Sequence, residues 1–508
     1  MDGPDDEERT RRVAAERILA VEIDQVVRAL HGTAVATGSL LGTGVPAAPG
    51  AGSGPLVTTF DAALDAADDG WDPVLVVAET GPADEPAMRC AAAVVTTRGG
   101  LASHAAVVAR AWGLPAVCGL SAARVDDEGA WFDGVRVSEG EWITVDGGTG
   151  EVRAGGADHA AGHGLDRDLL EVLDLCDRLV AGRPGVWVNA DTADEVRAGL
   201  DAGARGVGLC RTEHQFLGER LGALQALLLG GPDAADAAET LQGHQHEAVT
   251  EVLRAAGGVP VVVRLLDPPL HEFLPSLNDE RAPAELVDLA RHRHEHNPML
   301  GVRGVRLGVV APQVVDAQLR GLLGALAQAG RDGVGADLRL LVPMVAWAGE
   351  VDRVVEQVWL LAERFGVDAP PVGAMVETPA AALRAAELGR SAAFLSIGSN
   401  DLTQLTLGLS RDDTETSVVG EYLRDGLLDR SPFQTLDPSV VGLLAGALRD
   451  APDAHWGLCG EHAGDPDSLA RLASVPLDHV SCSPYRVPVA RLALGRIAAA
   501  SLLGAGTR

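Results

Sequence analysis

The feature that most constrains the fold is a regular alternation of short apolar segments with longer amphipathic segments between residues 186 and 482. The apolar segments have the length of strands buried on both faces, and stretches such as 192–200 and 351–365 show helical periodicity. The candidate strands are Val186–Val188, Gly206–Cys210, Val261–Leu265, Leu338–Pro343, Val372–Val376, Ala393–Ile397, Trp456–Leu458 and Val480–Cys482. Strands that alternate with helices in this number predict a (β/α)₈ (TIM) barrel, although a doubly wound open sheet is the alternative.

Polar and reactive residues follow these candidate strands at their carboxyl ends. They are Asn189, Arg211, Asp267, Met344, Glu377, Asn400 and Asp401, Cys459 and Ser483. A (β/α)₈ barrel builds its active site from the loops at that end. The sequence therefore predicts an active site at the carboxyl-terminal mouth of the barrel.

The N-terminal third has a different organisation. A helix is predicted over 9–30, and the Gly/Pro-rich stretch 42–54 marks the entry to a new domain. Short strands are predicted at Val74–Val77, Ala93–Thr96 and Trp142–Val145, followed by a Gly/Ala/His linker at 154–164 and a helix over 166–180. We therefore expect a small α/β domain ahead of the barrel.

One segment of this smaller domain has a layout suited to anion chemistry. The strand ending at Thr96 is followed by a Gly-Gly turn, and Ser103 is placed to cap a helix that begins at His104. Unpaired N–H groups and the helix dipole in a first turn favour a bound anion, so a phosphoryl group on His104 would be stabilised there. A capping histidine without chemistry is the alternative, and the residues alone leave both interpretations open.

Charge and composition exclude several classes of protein. The formal net charge is −31, which disfavours nucleic acid and anionic membranes as partners. All 41 basic residues are arginine, so a P-loop lysine and a Schiff-base lysine are both excluded. The six cysteines form no C-x-x-C pair, and we find neither a membrane-spanning run nor a signal peptide. These features predict a cytoplasmic protein.

The histidine segment GGLASHAAVVARAWGLPAVCG resembles the phosphohistidine signature of the phosphoenolpyruvate (PEP)-utilising enzymes. VPAAPGAGSG and WITVDGGTGEV resemble the segments that open and close their swivelling phosphohistidine domain. Further segments resemble the pyruvate phosphate dikinases in particular: NADTADE, GLCRTEHQF, RLLDPPLHEFLP, NPMLGVRG, SNDLTQLTLGLSRDD, GLCGEHAGDP and VSCSPYRVPVARLA. The resemblance implies that His104 is the phosphorylated residue.

The resemblance implies four segments: an N-terminal linker helix at 1–40, a swivelling phosphohistidine domain at 41–155, a linker helix at 156–182, and a PEP/pyruvate-binding TIM barrel at 183–508. The Gly-rich stretches 42–54 and 154–164 are candidate hinges for the swivel.

Three arginines are candidates for binding the substrate. PEP carries a carboxylate and a phosphate, which guanidinium groups recognise through paired hydrogen bonds. Arg211, Arg264 and Arg303 lie near predicted strand ends or in Gly-rich turns. A surface ion pair is the common role of a single arginine, but it is a poor explanation for three in such settings. The resemblance further implies that Arg211 and Arg264 bind the substrate.

Glu377 and Asp401 end successive predicted strands, so their carboxylates are expected to converge on one metal ion. Two carboxylates completed by substrate oxygens and water suit Mg²⁺. A pair of helix caps is the alternative. Gly398, Ser399 and Asn400 offer N–H, hydroxyl and amide groups to the substrate, and the resemblance implies that they line the site.

Cys459 follows the seventh predicted strand. A thiol between apolar residues is usually a core residue, but at a barrel mouth it is also placed to protonate an enolate carbon. The resemblance implies the second role, with Cys459 as the proton donor.

A full dikinase of this family would begin with an ATP-grasp nucleotide domain, which we do not find in the sequence. We therefore expect half of a dikinase reaction, Mg²⁺-dependent transfer between PEP and His104, with a separate ATP-grasp chain as partner. An enzyme I-like transfer to a phosphocarrier protein and a catalytically silent PEP/pyruvate-binding regulator are the alternatives. The retained His, Arg, Glu, Asp and Cys set argues against the regulator. The resemblance also implies a homodimer.

Overall fold

The structure is a computed structural model that describes residues 4–504 except 32, 36–37, 69, 82–83, 101–102, 127–128, 157, 161–164, 182–183, 217–219, 268, 271–272, 277–281 and 415–417. The chain divides into two units. One comprises Met1–Leu179, Ser410–Ser431 and Ala498–Arg508, and the other comprises Val180–Leu409 and Pro432–Ile497. The domain boundaries expected after residues 40, 155 and 182 stay predictions, and residue 182 lies outside the described residues.

The strands of the first unit form three sheets. They are β1 (Thr33–Val35), β2 (Leu40–Thr43), β3 (Val45–Ala48), β4 (Ala51–Val57), β5 (Val74–Val77), β6 (Ala93–Thr96), β7 (Ala116–Cys118), β8 (Ala123–Asp126), β9 (Gly129–Phe132), β10 (Val135–Ser138), β11 (Trp142–Asp146), β12 (Glu151–Ala154) and β13 (Asp158–Ala160). The main sheet has the order β2-β12-β11-β4-β5-β6-β7-β3, and β10-β9-β8 and β1-β13 form two smaller antiparallel sheets. Strands β4 to β7 run parallel, so the carboxyl ends of β5 and β6 lie side by side.

The main sheet of this unit is covered on both faces. Along β5, Val74 and Val76 pack into one apolar cluster, whereas Leu75 and Val77 pack into the other. Burial on both faces explains why its parallel strands have continuous apolar sequences. The helices of the N-terminal part are α1 (Pro4–Leu19), α2 (Ile23–His31), α3 (Phe60–Asp68), α4 (Glu85–Arg89), α5 (His104–Trp112) and α6 (Arg167–Val180).

The single helix expected over 9–30 is wrong, because α1 ends at Leu19 and α2 begins at Ile23. The side chain of Gln25 accepts a hydrogen bond from the Glu22 N–H at 3.0 Å and so caps the start of the second helix. The helix expected over 166–180 is confirmed, with a boundary one residue later.

The second unit contains a closed barrel of eight parallel strands in chain order, which confirms the predicted (β/α)₈ architecture and excludes an open sheet. The strands are β14 (Gly185–Asn189), β15 (Val207–Cys210), β16 (Pro260–Arg264), β17 (Asp337–Val342), β18 (Val372–Val376), β19 (Leu395–Gly398), β20 (Trp456–Cys459) and β21 (His479–Cys482). Strand β21 pairs with β14 and closes the barrel.

Helices follow the strands along the rest of the chain, and α17 and α18 belong to the first unit. The bounds are α7 (Ala193–Asp201), α8 (Leu221–Leu229), α9 (Ala234–Ala256), α10 (Ala284–His292), α11 (Val305–Val310), α12 (Pro312–Arg331), α13 (Ala348–Phe365), α14 (Pro379–Leu383), α15 (Ala385–Ser391), α16 (Ser399–Leu407), α17 (Arg411–Thr414), α18 (Gly420–Arg424), α19 (Pro438–Asp450), α20 (Pro466–Arg471) and α21 (Val487–Leu502). Short 3₁₀ turns occur at Glu213–Phe216, Pro298–Leu300, Glu461–Gly464 and Pro484–Arg486. No helix among the described residues has the length and apolar character needed to cross a membrane.

The barrel interior is filled with large side chains. A buried cluster joins Trp187, Leu209, Val262, Leu341, Met375, Phe394 and Cys459. Aromatic rings fit there because some facing strand positions are glycine: a Cβ at Gly373 would lie 2.4 Å from the ring of Phe394. The interior is therefore a packed core, and an active site is expected at the mouth of the barrel, at the carboxyl ends of its strands.

Candidate functional site

The predicted phosphoryl acceptor lies at the start of a helix. Ser103 caps α5, and its hydroxyl accepts from the N–H of Ala106, so that His104 is the first helical residue. The predicted cap is confirmed. Residues 101 and 102 of the same motif lie outside the described residues.

The structure adds Thr80 to this site. The hydroxyl of Thr80 and Nδ1 of His104 are hydrogen-bonded at 3.0 Å. Thr80 follows β5 and His104 follows β6, and these neighbouring parallel strands bring the two side chains together. The sequence signal that could have indicated Thr80 is its position: it is a hydroxyl residue just after β5, the neighbour of the strand that precedes His104.

Three carboxylates converge at the carboxyl ends of the barrel strands. Asp267 follows β16, Glu377 follows β18, and Asp401 lies in the first turn of α16; one carboxylate oxygen of each lies within 4.8 Å of the others. Oxygen donors in this arrangement fit a hard divalent cation such as Mg²⁺. Our expectation named Glu377 and Asp401, and the geometry adds Asp267, which the sequence marked only as a strand-end residue.

Glu377 is almost completely buried, and its environment disfavours the charged form. Burial, together with the neighbouring carboxylates Asp267 and Asp401, raises the pKa of Glu377 to about 8. Its Oε1 accepts a hydrogen bond from the Met344 N–H at 2.5 Å. Met344 holds a left-handed φ of 55°, which is uncommon for a non-glycine residue and aims its N–H at the carboxylate.

Two of the predicted arginines are tied to this cluster. Arg264, the last residue of β16, contacts Glu213 and Asp267, each at 3.1 Å. Arg303 contacts Asp267 at 2.6 Å and Asp401 at 3.1 Å, and only 5% of the residue is exposed. Although burial alone would raise the pKa of Asp267, the charges of Arg264 and Arg303 hold it below its usual range. The site is therefore a buried network of alternating charge.

Arg211 follows β15, and its backbone N–H donates to the Asp191 carboxylate at 2.7 Å. Its guanidinium is close enough to influence Cys459 electrostatically, as is that of Arg264. The structure thus places the predicted arginines at one mouth of the barrel; their roles toward a substrate stay predictions.

Cys459 ends β20 with its thiol buried and directed at the carbonyl of Ile397, 3.3 Å away. Burial raises the pKa of this thiol to about 11, so it keeps its proton at neutral pH. The expected acid role needs a protonated thiol, and the buried position provides one. Cys459 also belongs to the barrel-core cluster, so both of its predicted roles have a structural basis.

The segment after β19 packs against the turn after β20. A Cβ at Gly398 would lie 2.7 Å from Oε2 of Glu377, so glycine permits this close approach. The Asn400 side-chain oxygen accepts from the Glu461 N–H at 3.5 Å. The Ser399 hydroxyl lies 3.2 Å from the carbonyl oxygen of Cys459. These contacts place the three residues at the mouth, and their binding roles stay predictions.

A buried histidine that the sequence did not indicate holds this region together. Nδ1 of His462 lies 2.9 Å from the Ser399 hydroxyl, and Nε2 lies 2.9 Å from the carbonyl oxygen of Pro432. Because a carbonyl can only accept, Nε2 carries a proton. His462 therefore links the segments that bear Ser399 and Cys459.

Arginines beside a carboxylate cluster at the mouth of a (β/α)₈ barrel are typical of enzymes that bind a small anionic substrate with a divalent metal. The family model described as "PEP-utilising enzyme, PEP-binding domain" matches residues 179–499, and the one described as "PEP-utilising enzyme, mobile domain" matches residues 71–150. The chain belongs to the family of PEP-utilising enzymes, as its motifs predicted.

Curated relatives agree with this assignment. Pyruvate, phosphate dikinase of Rhizobium meliloti is 38% identical over 511 residues, which cover 95% of this chain and 56% of the relative. The chloroplastic pyruvate, phosphate dikinase 1 of Arabidopsis thaliana is 38% identical and covers 90% and 50%, and pyruvate, phosphate dikinase 2 of Zea mays is 37% identical and covers 96% and 58%. The chain thus spans about half the length of the curated relatives it matches.

Proposed function

We propose that this chain catalyses reversible, Mg²⁺-dependent phosphoryl transfer between PEP and His104, with pyruvate as the second product. This is half of a pyruvate phosphate dikinase-type reaction. The observation that carries the proposal is the convergence of Arg264, Arg303, the carboxylate cluster and the Cys459 thiol at one barrel mouth. The capped histidine in a mobile-domain match supports the acceptor.

The arginines would bind the two anionic groups of PEP, since planar guanidinium groups pair with both carboxylate and phosphate. Glu377 and Asp401 would hold the metal, with Asp267 beside them. A bound Mg²⁺ would offset charge on the transferring phosphoryl group and on the enolate oxygen.

Nε2 of His104 is the proposed nucleophile, because Thr80 engages Nδ1 and can hold the proton there. Nε2 forms a bond to phosphorus as the bond between phosphorus and the enol oxygen breaks, and the electron pair stays on the enolate. The Cys459 thiol then donates its proton to C3, which gives pyruvate, and solvent reprotonates the sulfur.

A labelling experiment tests the central claim. The protein is incubated with Mg²⁺ and PEP carrying a ³²P phosphoryl group, and acid-labile, base-stable label is measured. We expect label in the wild type and none in His104→Gln, which keeps a polar side chain of similar size at the helix start. Absence of label in the wild type, or label that persists in the variant, would contradict the proposal.

The proposal also includes a second donor or acceptor of the phosphoryl group, in addition to PEP. We favour a separate ATP-grasp chain, because the relatives that match this chain over 90% or more of its length are named pyruvate, phosphate dikinases. Label should then pass from ATP to His104 only when that chain is added. Transfer from phospho-His104 to a histidine-containing carrier without nucleotide would instead support the enzyme I-like alternative.

A homodimer is also proposed. Large apolar side chains on or beside the barrel helices are exposed, among them Trp347, Trp359, Leu360 and Leu383. We infer that these side chains contribute to a surface covered by a second copy of the chain, as exposed apolar patches commonly are covered by a partner. Sedimentation at micromolar protein should give a dimer mass, and Trp359→Glu should shift it toward monomer; a monomeric wild type would refute this part.

A further inference from the structure

Arg303 uses its whole guanidinium group on two carboxylates of the proposed metal cluster. Nε and Nη2 donate to the two oxygens of Asp267 at 3.2 and 2.6 Å. Nη1 and Nη2 donate to the two oxygens of Asp401 at 3.1 Å each. Both oxygens of Asp401 therefore already accept from a cation.

The same Asp401 carboxylate is needed by a divalent metal held between Asp401 and Glu377. A metal ion there and the Arg303 guanidinium would both be positively charged and would both contact the Asp401 carboxylate. Because the site is buried, the repulsion between them would be poorly screened. Arg303 and a metal ion held by Glu377 and Asp401 would thus be competitors for the Asp401 carboxylate.

The backbone beside Arg303 is held in place on both sides. The Val302 N–H donates to Glu295 at 2.6 Å, and the Gly304 N–H donates to the Asp267 carbonyl at 3.1 Å. Movement of the guanidinium must therefore come from side-chain rotation, with Asp267 as the contact that it can keep.

We propose that Arg303 exchanges partners: it neutralises Asp401 until substrate anions draw it away, and in that way it couples metal binding to substrate binding. This inference rests on the proposed function, because it takes Asp401 as a metal ligand and PEP or pyruvate as the anion. Coupling of this kind is reciprocal, so each ligand tightens the binding of the other. Glu377 needs no such exchange, since its Oε1 accepts from the neutral Met344 N–H.

The test measures Mn²⁺ binding directly, by the electron paramagnetic resonance signal of the free ion, with Mn²⁺ in place of Mg²⁺. Arg303→Met removes the charge and keeps the apolar stem. Arg306→Met is the matched control, because Arg306 lies on the same turn but donates to the carbonyls of Leu300 and Gly301. Asp401→Asn locates the ion.

Without substrate, Arg303→Met should bind Mn²⁺ roughly 5- to 150-fold more tightly than the wild type, the range of typical coupling between sites. Arg306→Met should match the wild type, and Asp401→Asn should bind weakly. Oxalate, a dianion shaped like the enolate of pyruvate, should tighten Mn²⁺ binding more in the wild type than in Arg303→Met.

Mn²⁺ binding by Arg303→Met that is equal to or weaker than that of the wild type would overturn the inference. Mn²⁺ binding that is tightened equally by Arg306→Met, or left unchanged by Asp401→Asn, would also overturn it. If Arg303→Met does not fold, Arg303→Lys replaces it. A lysine ammonium cannot bridge two carboxylates as a planar fork does, so its Mn²⁺ affinity should exceed that of the wild type; an equal affinity would overturn the inference. Labelling of His104 by PEP tests the proposed function separately, so a failure of the proposed function can be distinguished from a failure of the inference about Arg303.

Discussion

Replacement of Thr80 by valine tests whether the phosphoryl acceptor depends on a hydrogen bond to its other ring nitrogen. The 3.0 Å contact between the Thr80 hydroxyl and Nδ1 of His104 is a single, partly buried hydrogen bond. When Nδ1 donates, this bond keeps Nε2 deprotonated and therefore nucleophilic. Thr80→Val keeps the shape of the side chain and removes the hydroxyl, so it should raise the population of the unproductive tautomer.

The magnitude follows from the strength of one such bond. A net contribution of about 0.5–1.5 kcal/mol corresponds to a rate reduction of roughly 2- to 13-fold. The assay is rapid-quench labelling of His104 by ³²P-PEP in a single turnover. Nitrogen-15 NMR of labelled histidine should show the tautomer shift in the same variant.

Thr80→Ser is the control, because it keeps the hydroxyl and loses only a methyl group. It should label His104 at close to the wild-type rate. A Thr80→Val rate equal to the wild type would refute the reasoning. Slowing by Thr80→Ser as large as that by Thr80→Val would also refute it, because serine keeps the hydroxyl on which the reasoning depends.

Three further variants test the barrel. Asp267→Asn removes the charge shared by Arg264 and Arg303, so it should lower the free energy of unfolding by about 3 kcal/mol, as for other broken buried pairs; a change near zero in urea titrations would contradict the network. Burial lowers the pKa of His479 to about 3, so as the pH falls below about 6.5 the unfolded chain binds a proton at this residue whereas the folded chain does not. The free energy of unfolding therefore decreases. Between pH 7 and pH 5 the wild type should lose about 2 kcal/mol more than His479→Phe in urea unfolding, and equal losses would argue against a neutral buried imidazole. Cys459→Ala should slow deuterium exchange at C3 of pyruvate, followed by proton NMR, by about 10²–10⁴-fold with little change in pyruvate affinity; unchanged exchange would remove Cys459 from the proton-donor role.

The barrel could be predicted because its strands satisfy a simple rule. Strands buried on both faces must be apolar throughout, and β18 lies at Val372–Val376 as expected from that rule alone. The boundaries of the other strands differ from the prediction by one or two residues, since the last ladder hydrogen bonds depend on neighbours that the local sequence does not specify. The N-terminal helix was mispredicted because the helical periodicity of the segment does not reveal the break between Leu19 and Ile23, where the Gln25 side chain accepts from the Glu22 N–H.

The site was predictable where its chemistry is local. Ser103 and His104 are adjacent in sequence, and a cap followed by a helix start can be recognised from that spacing alone. Thr80 and His462 could not be found in this way, because their partners are 24 and 63 residues away along the chain. Such contacts depend on which strand ends become neighbours, and a list of strands does not contain that information until the sheet order is known.

The same limit explains why the sequence did not identify Asp267 as a member of the carboxylate cluster. A carboxylate after a strand can be a helix cap, a metal ligand or an ion-pair partner, and only its neighbours decide. Here the neighbours are Arg264 and Arg303, so Asp267 is an anion placed between two cations. Its position makes the arginines rigid, and rigid guanidinium groups lose less freedom when they bind an anion.

The carboxylates in the network at the barrel mouth outnumber the arginines that contact them. Arg264 and Arg303 face four carboxylates: Glu213, Asp267, Glu377 and Asp401. Burial raises the pKa of Glu377, and the neighbouring carboxylates Asp267 and Asp401 raise it further, so the negative charge of the cluster adds to the effect of burial. A divalent cation would compensate the excess, whereas an anionic substrate alone would increase it. The site is therefore electrostatically suited to bind metal and anion together, and an arginine that exchanges carboxylate for substrate lets the same residues serve both ligands.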